Sequence, residues 1–164
     1  MQHHLFKLML GGKLYTAPIP KDQKIHRVLD VGTGTGIWAI DYADEHLETQ
    51  VYGIDLSPIQ PEFVPPNVAF EVDDLEESWT FPKKFDFIFS RMMVGSFANF
   101  PRFFKQSFEN LNPGGWIELA DICFPVQCDD GTLDEDAPLR KWYVSFETLY
   151  PIVGWLTKQV IAHS

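Results

Sequence analysis

The chain predicts an α/β domain built on a parallel sheet, and three observations carry that prediction. His26-Arg27-Val28-Leu29-Asp30-Val31-Gly32-Thr33-Gly34-Thr35-Gly36-Ile37-Trp38 reads as a buried strand, a glycine loop and a helix start in direct succession. Val51-Tyr52-Gly53-Ile54-Asp55 is a second apolar strand ending in an acid about 20 residues beyond the loop, the distance at which nucleotide-binding α/β folds place such a residue. Two more apolar runs, Phe85-Asp86-Phe87-Ile88-Phe89-Ser90 and Trp116-Ile117-Glu118-Leu119-Ala120, flank a helical pattern, as units of alternating strand and helix do.

In chain order, residues 1–24 form a lead-in: an apolar stretch from Leu5 to Leu10, a Gly11-Gly12 turn, Leu14-Tyr15, then a connector spaced by Pro18 and Pro20 to Lys24. It is expected to pack against the domain of residues 25–164. After the glycine loop, Ile37, Ile40, Ala43 and Leu47 recur at helical spacing and predict a buried stripe, with Trp38 and Tyr42 on another face in core or rim packing. Ser57 suits a helix N-cap and Pro58 a first helical position. Yet Pro58, Pro61, Pro65 and Pro66 remove donors and fix φ, so a short turn or an irregular link is expected there instead of a full helix. Asn67 to Asp74 reads as a third strand running into two acids, and Phe85 to Ser90 as a fourth, fully buried except for Asp86. Pro101 opens a helix with a predicted stripe of Phe104, Phe108 and Leu111, ended by Asn112-Pro113-Gly114-Gly115 before a fifth strand from Trp116 to Ala120. Cys123 to Asp136 reads as a polar surface loop, and Pro138 as the start of a helix through Trp142, Phe146 and Leu149 that Pro151 halts.

The loop's chemistry narrows the ligand. A pyrophosphate-binding loop has G-x-G-x-x-G or G-x-G-x-x-A, and counting from Gly32 places Ile37 where the last small residue belongs. The dinucleotide pattern therefore fails. What stands instead is Asp-x-Gly-x-Gly-x-Gly, whose carboxylate at the strand end would repel a diphosphate and attract a cation. S-adenosylmethionine carries a sulfonium and an ammonium and no phosphate. Asp55 would accept from both ribose hydroxyls, and it also suits the cap of a turn; the two roles are compatible.

This stretch resembles the first motif of class I S-adenosylmethionine-dependent methyltransferases. Leu111-Asn112-Pro113-Gly114-Gly115 between helix and strand resembles a second recurrent feature of the family. A closer resemblance is to its fungal LaeA-like branch of secondary-metabolism regulators and related methyltransferases. It is carried by His3-His4-Leu5-Phe6, Gly11-Gly12-Lys13-Leu14-Tyr15, Ala17-Pro18-Ile19, Val28 to Trp38, Phe70 to Trp79, and Phe97 to Asp121. The resemblance implies a Rossmann-like sheet with strand order 3-2-1-4-5, S-adenosylmethionine as cofactor and no metal. It also implies roles. Asp30 orients the methionine end, Gly32, Gly34 and Gly36 shape the loop beneath it, Asp55 meets the ribose, and Thr33 and Leu56 join the cofactor-binding set. Asp74, or Asp73 one residue earlier, accepts from the adenine amine, the Leu75 N–H donates to the ring, and the main chain at Ser90 faces the methionine part. Against these stand plainer readings: a solvated acidic turn at residues 73–77, and for Arg91 a pairing with a neighbouring acid instead of a substrate carboxylate.

Composition sets the bounds. With 164 residues and 45% hydrophobic content, one globular domain is expected. A formal charge of −10 leaves no basic footprint for nucleic acid. Cys123 and Cys128 lack the spacing of a disulfide framework or a zinc site, and no apolar stretch reaches bilayer-spanning length, so an intracellular protein, cytoplasmic or nuclear, is expected. Class I methyltransferases add a sixth and a seventh strand after the fifth, and residues 158–164 are too few to build them. The chain therefore reads as a truncated or alternatively spliced member whose fifth strand is an exposed edge open to a protein partner or a second copy. Two function classes follow: a methyltransferase acting on a small-molecule or protein acceptor, or a cofactor-binding module of impaired catalysis that acts by interaction. In-line transfer from a sulfonium requires no fixed base, so no catalytic residue is nominated.

Overall fold

A computed structural model describes residues 1–122 together with 128, 131, 133–134, 136–138 and 140–141. The expected helix through Trp142, Phe146 and Leu149 and the tail beyond it lie outside the described residues. The described elements run α1 (Gln2–Met9), β1 (Arg27–Val31), α2 (Ile37–Glu45), β2 (Gln50–Asp55), β3 (Val68–Val72), β4 (Phe85–Arg91), α3 (Phe100–Glu109) and β5 (Leu111–Ala120). All five strands pair in parallel in the order β3-β2-β1-β4-β5, the predicted α/β sheet. The apolar runs of the central strands are buried on both faces, as parallel strands covered by crossovers must be: Val28, Leu29 and Val31 of β1 and Phe85, Phe87 and Ile88 of β4 are fully inaccessible. From Leu56 to Asn67 the chain forms no helix, as the four prolines require.

Two compact units are distinguished, one of residues 1–91 and 99–120, which holds every helix and strand named here, and one of residues 92–98 with 121–164. In the second, Asp121 Oδ1 accepts from the Val94 N–H at 3.1 Å, and burial pushes the Asp121 carboxyl above the usual carboxylate range. No helix among the described residues is long and apolar enough to cross a membrane.

Both long helices are rotated from the predicted phase. In α2 the buried residues are Trp38, Ala39, Tyr42 and Ala43, while Ile37 is 45% exposed and Leu47 lies beyond the helix in solvent. The Trp38 ring stacks on Phe89 at 3.9 Å and 4°, and its Nε1–H donates to Leu14 O at 2.8 Å, so the larger ring buries more apolar area than Ile37 could with its polar atom satisfied. In α3 the stripe is Phe100, Phe103 and Ser107, with Gln106 also buried, and Phe108 faces out. Gln106 is tolerated inside because its Oε1 accepts from the Trp79 N–H at 3.0 Å. Asn99 caps this helix through the Arg102 N–H, and Asn110 ends it. Asn112 to Gly115 therefore do not terminate α3; they lie within β5, where the register jumps from Phe85↔Leu111 to Phe87↔Trp116. Asp86, the odd acid of β4, ties three strand starts together: Oδ2 accepts from the His26 and Arg27 N–H groups and Oδ1 from Asn112 Nδ2.

The lead-in is latched to the sheet by one buried acid. Glu118 accepts from the Thr16 N–H at 2.8 Å and from the Ala17 N–H at 2.6 Å. Bonds to a charged group are worth about 1.5–3 kcal/mol each, and two amides would be orphaned by its loss. Glu118→Ala is accordingly expected to lower unfolding free energy by about 3 kcal/mol or more, read as a fall in the urea midpoint, with Glu118→Gln losing less.

Candidate functional site

The strand order reverses at β1: the chain builds outward to β2 and β3 on one side, then to β4 and β5 on the other. Connections leaving the carboxyl ends of β1 and β4 diverge there and open the crevice in which open α/β sheets take their ligands. The glycine loop lies at that point. The Gly32 and Thr33 N–H groups donate to Ile54 O at 2.9 and 3.0 Å, folding the loop back over the end of β2. That path needs φ of +68° at Gly32, +57° at Gly34 and +78° at Gly36, values that a side chain with a Cβ resists.

Asp30 is 3% exposed, and Thr33 Oγ1 donates to its Oδ2 at 2.6 Å. Burial pushes its carboxyl up to about 7, although the Thr33 bond and the Arg91 charge pull it down; the Asp55 charge adds to the rise. The folded chain thus holds this proton more tightly than the unfolded chain, whose carboxyl titrates near 3.8. The stability this group contributes is full below pH 3.8 and is lost as pH rises towards about 7. Urea unfolding without ligand should therefore show stability falling across that window, and Asp30→Asn should flatten the fall.

Asp55 lies on the same sheet face as Asp30, since Asp30 registers with Gly53 and side chains alternate along β2. Its Oδ2 accepts from the Gly34 N–H at 2.8 Å and its Oδ1 from the Ser57 N–H at 2.9 Å. A carboxylate has about four lone-pair positions, so each oxygen retains one for a ligand hydroxyl. The turn-capping role and the ligand role coexist. Leu56 beside it is 68% exposed. The Asp73 N–H donates to Asp55 O at 3.2 Å, which brings the end of β3 to the same place. Asp73 Oδ1 accepts from the Asp74 N–H and Asp74 Oδ1 from the Glu76 N–H, so both acids close local turns through one oxygen each. Leu75 is buried, its carbonyl taken by Trp79 Nε1. Ser90 registers with Val31 beside the loop's first glycine, and its buried hydroxyl finds no partner among the described residues.

The residues fit a cationic nucleoside. A Cβ added at Gly34 would meet nothing within 4 Å, so the loop's outer side is open. Under Gly36 and Gly53, by contrast, the Phe70 ring fills the space and supports the loop from below. Gln60, inside the proline-spaced link, donates from Nε2 to Gly34 O at 2.7 Å and to Ser57 O at 2.9 Å, strapping the loop to the Asp55 turn. Nothing in its sequence context marks it. His3, Asp41 and Arg91 form a further cluster at the carboxyl end of β4 that sequence reasoning missed, because residues 38 and 88 apart are brought together only by the fold.

Comparison with known proteins finds a family, relatives and structures of like fold. The family model described as "Methyltransferase domain" matches residues 1–154. "Secondary metabolism regulator LAE1" of Cochliobolus heterostrophus is 46% identical over 158 residues, covering 94% of this chain and 48% of that protein. "Methyltransferase pytC" of Aspergillus terreus is 44% identical over 138 residues, covering 84% and 42%. The chain spans under half the length of these relatives. Among solved structures, coclaurine N-methyltransferase bound to N-methylheliamine and SAH superposes with a TM-score of 0.57 over 74% of this chain and 35% of that one, at 20% identity, a likeness of fold.

Proposed function

Because this chain belongs to the methyltransferase-domain family, we propose that Asp30, the Gly32–Gly36 loop and Asp55 hold S-adenosylmethionine and that the protein passes a methyl group to a small-molecule or protein acceptor. The observation that supports this best is the pair of carboxylates on one sheet face beside an open glycine loop at the crevice. When bound, the cofactor supplies a methyl group already activated on sulfur. The chain's own residues supply position. Asp55 takes the ribose hydroxyls on its remaining lone pairs, the exposed Leu56 side chain stands beside it, and Asp74 or Asp73 accepts from the adenine amine with the Leu75 N–H donating to the ring. Asp30 in its ionised form balances the cationic end, with the Ser90 main chain beside it. Proximity, orientation and exclusion of water then carry the reaction, and no side-chain base is assigned.

A pH signature follows. Cofactor cations favour ionised Asp30, so affinity should climb as pH rises through about 7, while the stability of the unliganded chain declines as pH rises towards that value. Isothermal titration from pH 6 to 9 reads the climb, and Asp30→Asn should abolish it.

A second reading, a cofactor-binding regulatory module, is favoured by the relative whose name is that of a regulator. Its partner would add at the outer edge of β5, the terminal strand of the described sheet. On either reading the place of work is inside the cell, in cytoplasm or nucleus. Conversion of S-adenosylmethionine to S-adenosylhomocysteine with candidate acceptors separates the two: turnover supports the enzyme, and saturable binding without turnover across acceptor classes supports the module.

A further inference from the structure

Arg91 ends β4 on the face that carries Phe89, whose register partner on β1 is Asp30. Its guanidinium lies 5.9 Å from the Phe89 ring centroid and 5.0 Å from that of Phe6 on α1. Its Nη2 meets His3 Nδ1 at 3.0 Å. A guanidinium has donors only, so His3 Nδ1 accepts with its lone pair and the ring proton sits on Nε2. That Nε2–H donates to Asp41 Oδ2 at 3.0 Å, and Lys7 Nζ donates to the same oxygen at 2.8 Å. Burial works against the Asp41 charge, but these two bonds hold its carboxyl below the usual range. Asp41 on α2 thus orients His3, which is 8% exposed, and His3 orients Arg91.

We propose that Arg91, clamped by His3 and Phe6 of α1, is a positioning residue of the cofactor site, holding the Asp30 carboxylate in the ionised form that receives a cation. The inference rests on the S-adenosylmethionine reading above and extends it: the lead-in helix becomes part of the cofactor site without touching the cofactor. The charges around Asp30 are Arg91, which favours its ionisation, and Asp55, which opposes it, with the Thr33 hydroxyl as donor. Around the clamp stand His3, Asp41 and Lys7, with Glu45 acting on Lys7 and His4 lining the same cavity between α1 and the start of α2. Arg91 itself is half-buried, its charge disfavoured by burial and supported by Asp30.

The test is the pH dependence of S-adenosylmethionine affinity, measured calorimetrically on the full chain from pH 6 to 9 with folding checked by circular dichroism. In the wild type, affinity should rise about tenfold per pH unit below its midpoint and stop rising above it, where the ligand's own ammonium begins to lose its proton. In Arg91→Met the midpoint should move up by about half a unit or more, the difference from wild type narrowing as pH rises. Arg91→Lys should restore most of the wild-type midpoint. His3→Ala should shift it in the same direction and His3→Gln should not, because an amide can accept from Arg91 and donate to Asp41. A purely structural role would weaken binding equally at every pH. An unmoved midpoint in Arg91→Met overturns the proposal, and so does an unmoved midpoint in His3→Ala should the arginine variant not fold. Absence of binding by folded wild-type chain at every pH is the different result that overturns the cofactor reading itself.

Discussion

Gly36→Ala should lower the unfolding free energy by about 2–5 kcal/mol, measured as a displaced urea or thermal midpoint. Two costs add there. A Cβ at this position would lie 2.3 Å from Phe70 Cζ, and overpacking of that kind costs about 1–3 kcal/mol. The φ of +78° adds about 1–2 kcal/mol for an L-residue. Gly53→Ala meets the same ring at 2.6 Å and Thr33 Oγ1 at 2.7 Å without a left-handed backbone, so its cost is wholly steric. Combining Gly36→Ala with Phe70→Leu should therefore recover the steric part only, leaving the backbone part in place. Full recovery would mean that the turn tolerates alanine and that the glycine is there for packing alone.

Asp55→Ala should weaken S-adenosylmethionine binding roughly 10- to 150-fold, which is the loss of charge-assisted hydrogen bonds worth about 1.5–3 kcal/mol. The same change frees the Gly34 and Ser57 N–H groups, so the loop that shapes the site loosens together with the loss of the sugar contacts. Asp55→Asn separates the two effects, because its amide oxygen can still accept from one of those groups while its nitrogen cannot. Titration calorimetry of the three proteins should order them wild type, asparagine, alanine. Equal affinity in all three would remove Asp55 from the ribose.

The glycine loop was legible because its reasons are local. Asp30, three alternate glycines and a second apolar strand ending in Asp55 are spaced by the geometry of one strand–helix–strand unit, and the structure brings the two acids to one face as that spacing requires. The helices were legible in period but not in phase. Ile37, Ile40, Ala43 and Leu47 repeat as regularly as Trp38, Ala39, Tyr42 and Ala43, and what chooses between them is the Phe89 ring and the Leu14 carbonyl, both distant in sequence. In α3 the phase is likewise set from outside, by the Trp79 N–H that lets Gln106 go inside. The Gly114-Gly115 pair reads as a helix stop on local grounds, yet Asn110 already ends α3 and the pair serves the irregular start of β5 instead. Gln60 and Asp41 carry no motif, and His3 sits in the lead-in resemblance without a role; each matters through a partner that only the tertiary structure supplies.

The central claim is that a buried carboxylate at the end of β1, with a second acid on the same face, selects a cationic nucleoside over a diphosphate. Parallel calorimetric titrations of the folded chain at pH 8 with S-adenosylmethionine and with a nicotinamide dinucleotide test it most directly. The account predicts saturable one-to-one heat from the first and none from the second; saturable binding of the dinucleotide, or no heat from the sulfonium compound, would contradict it.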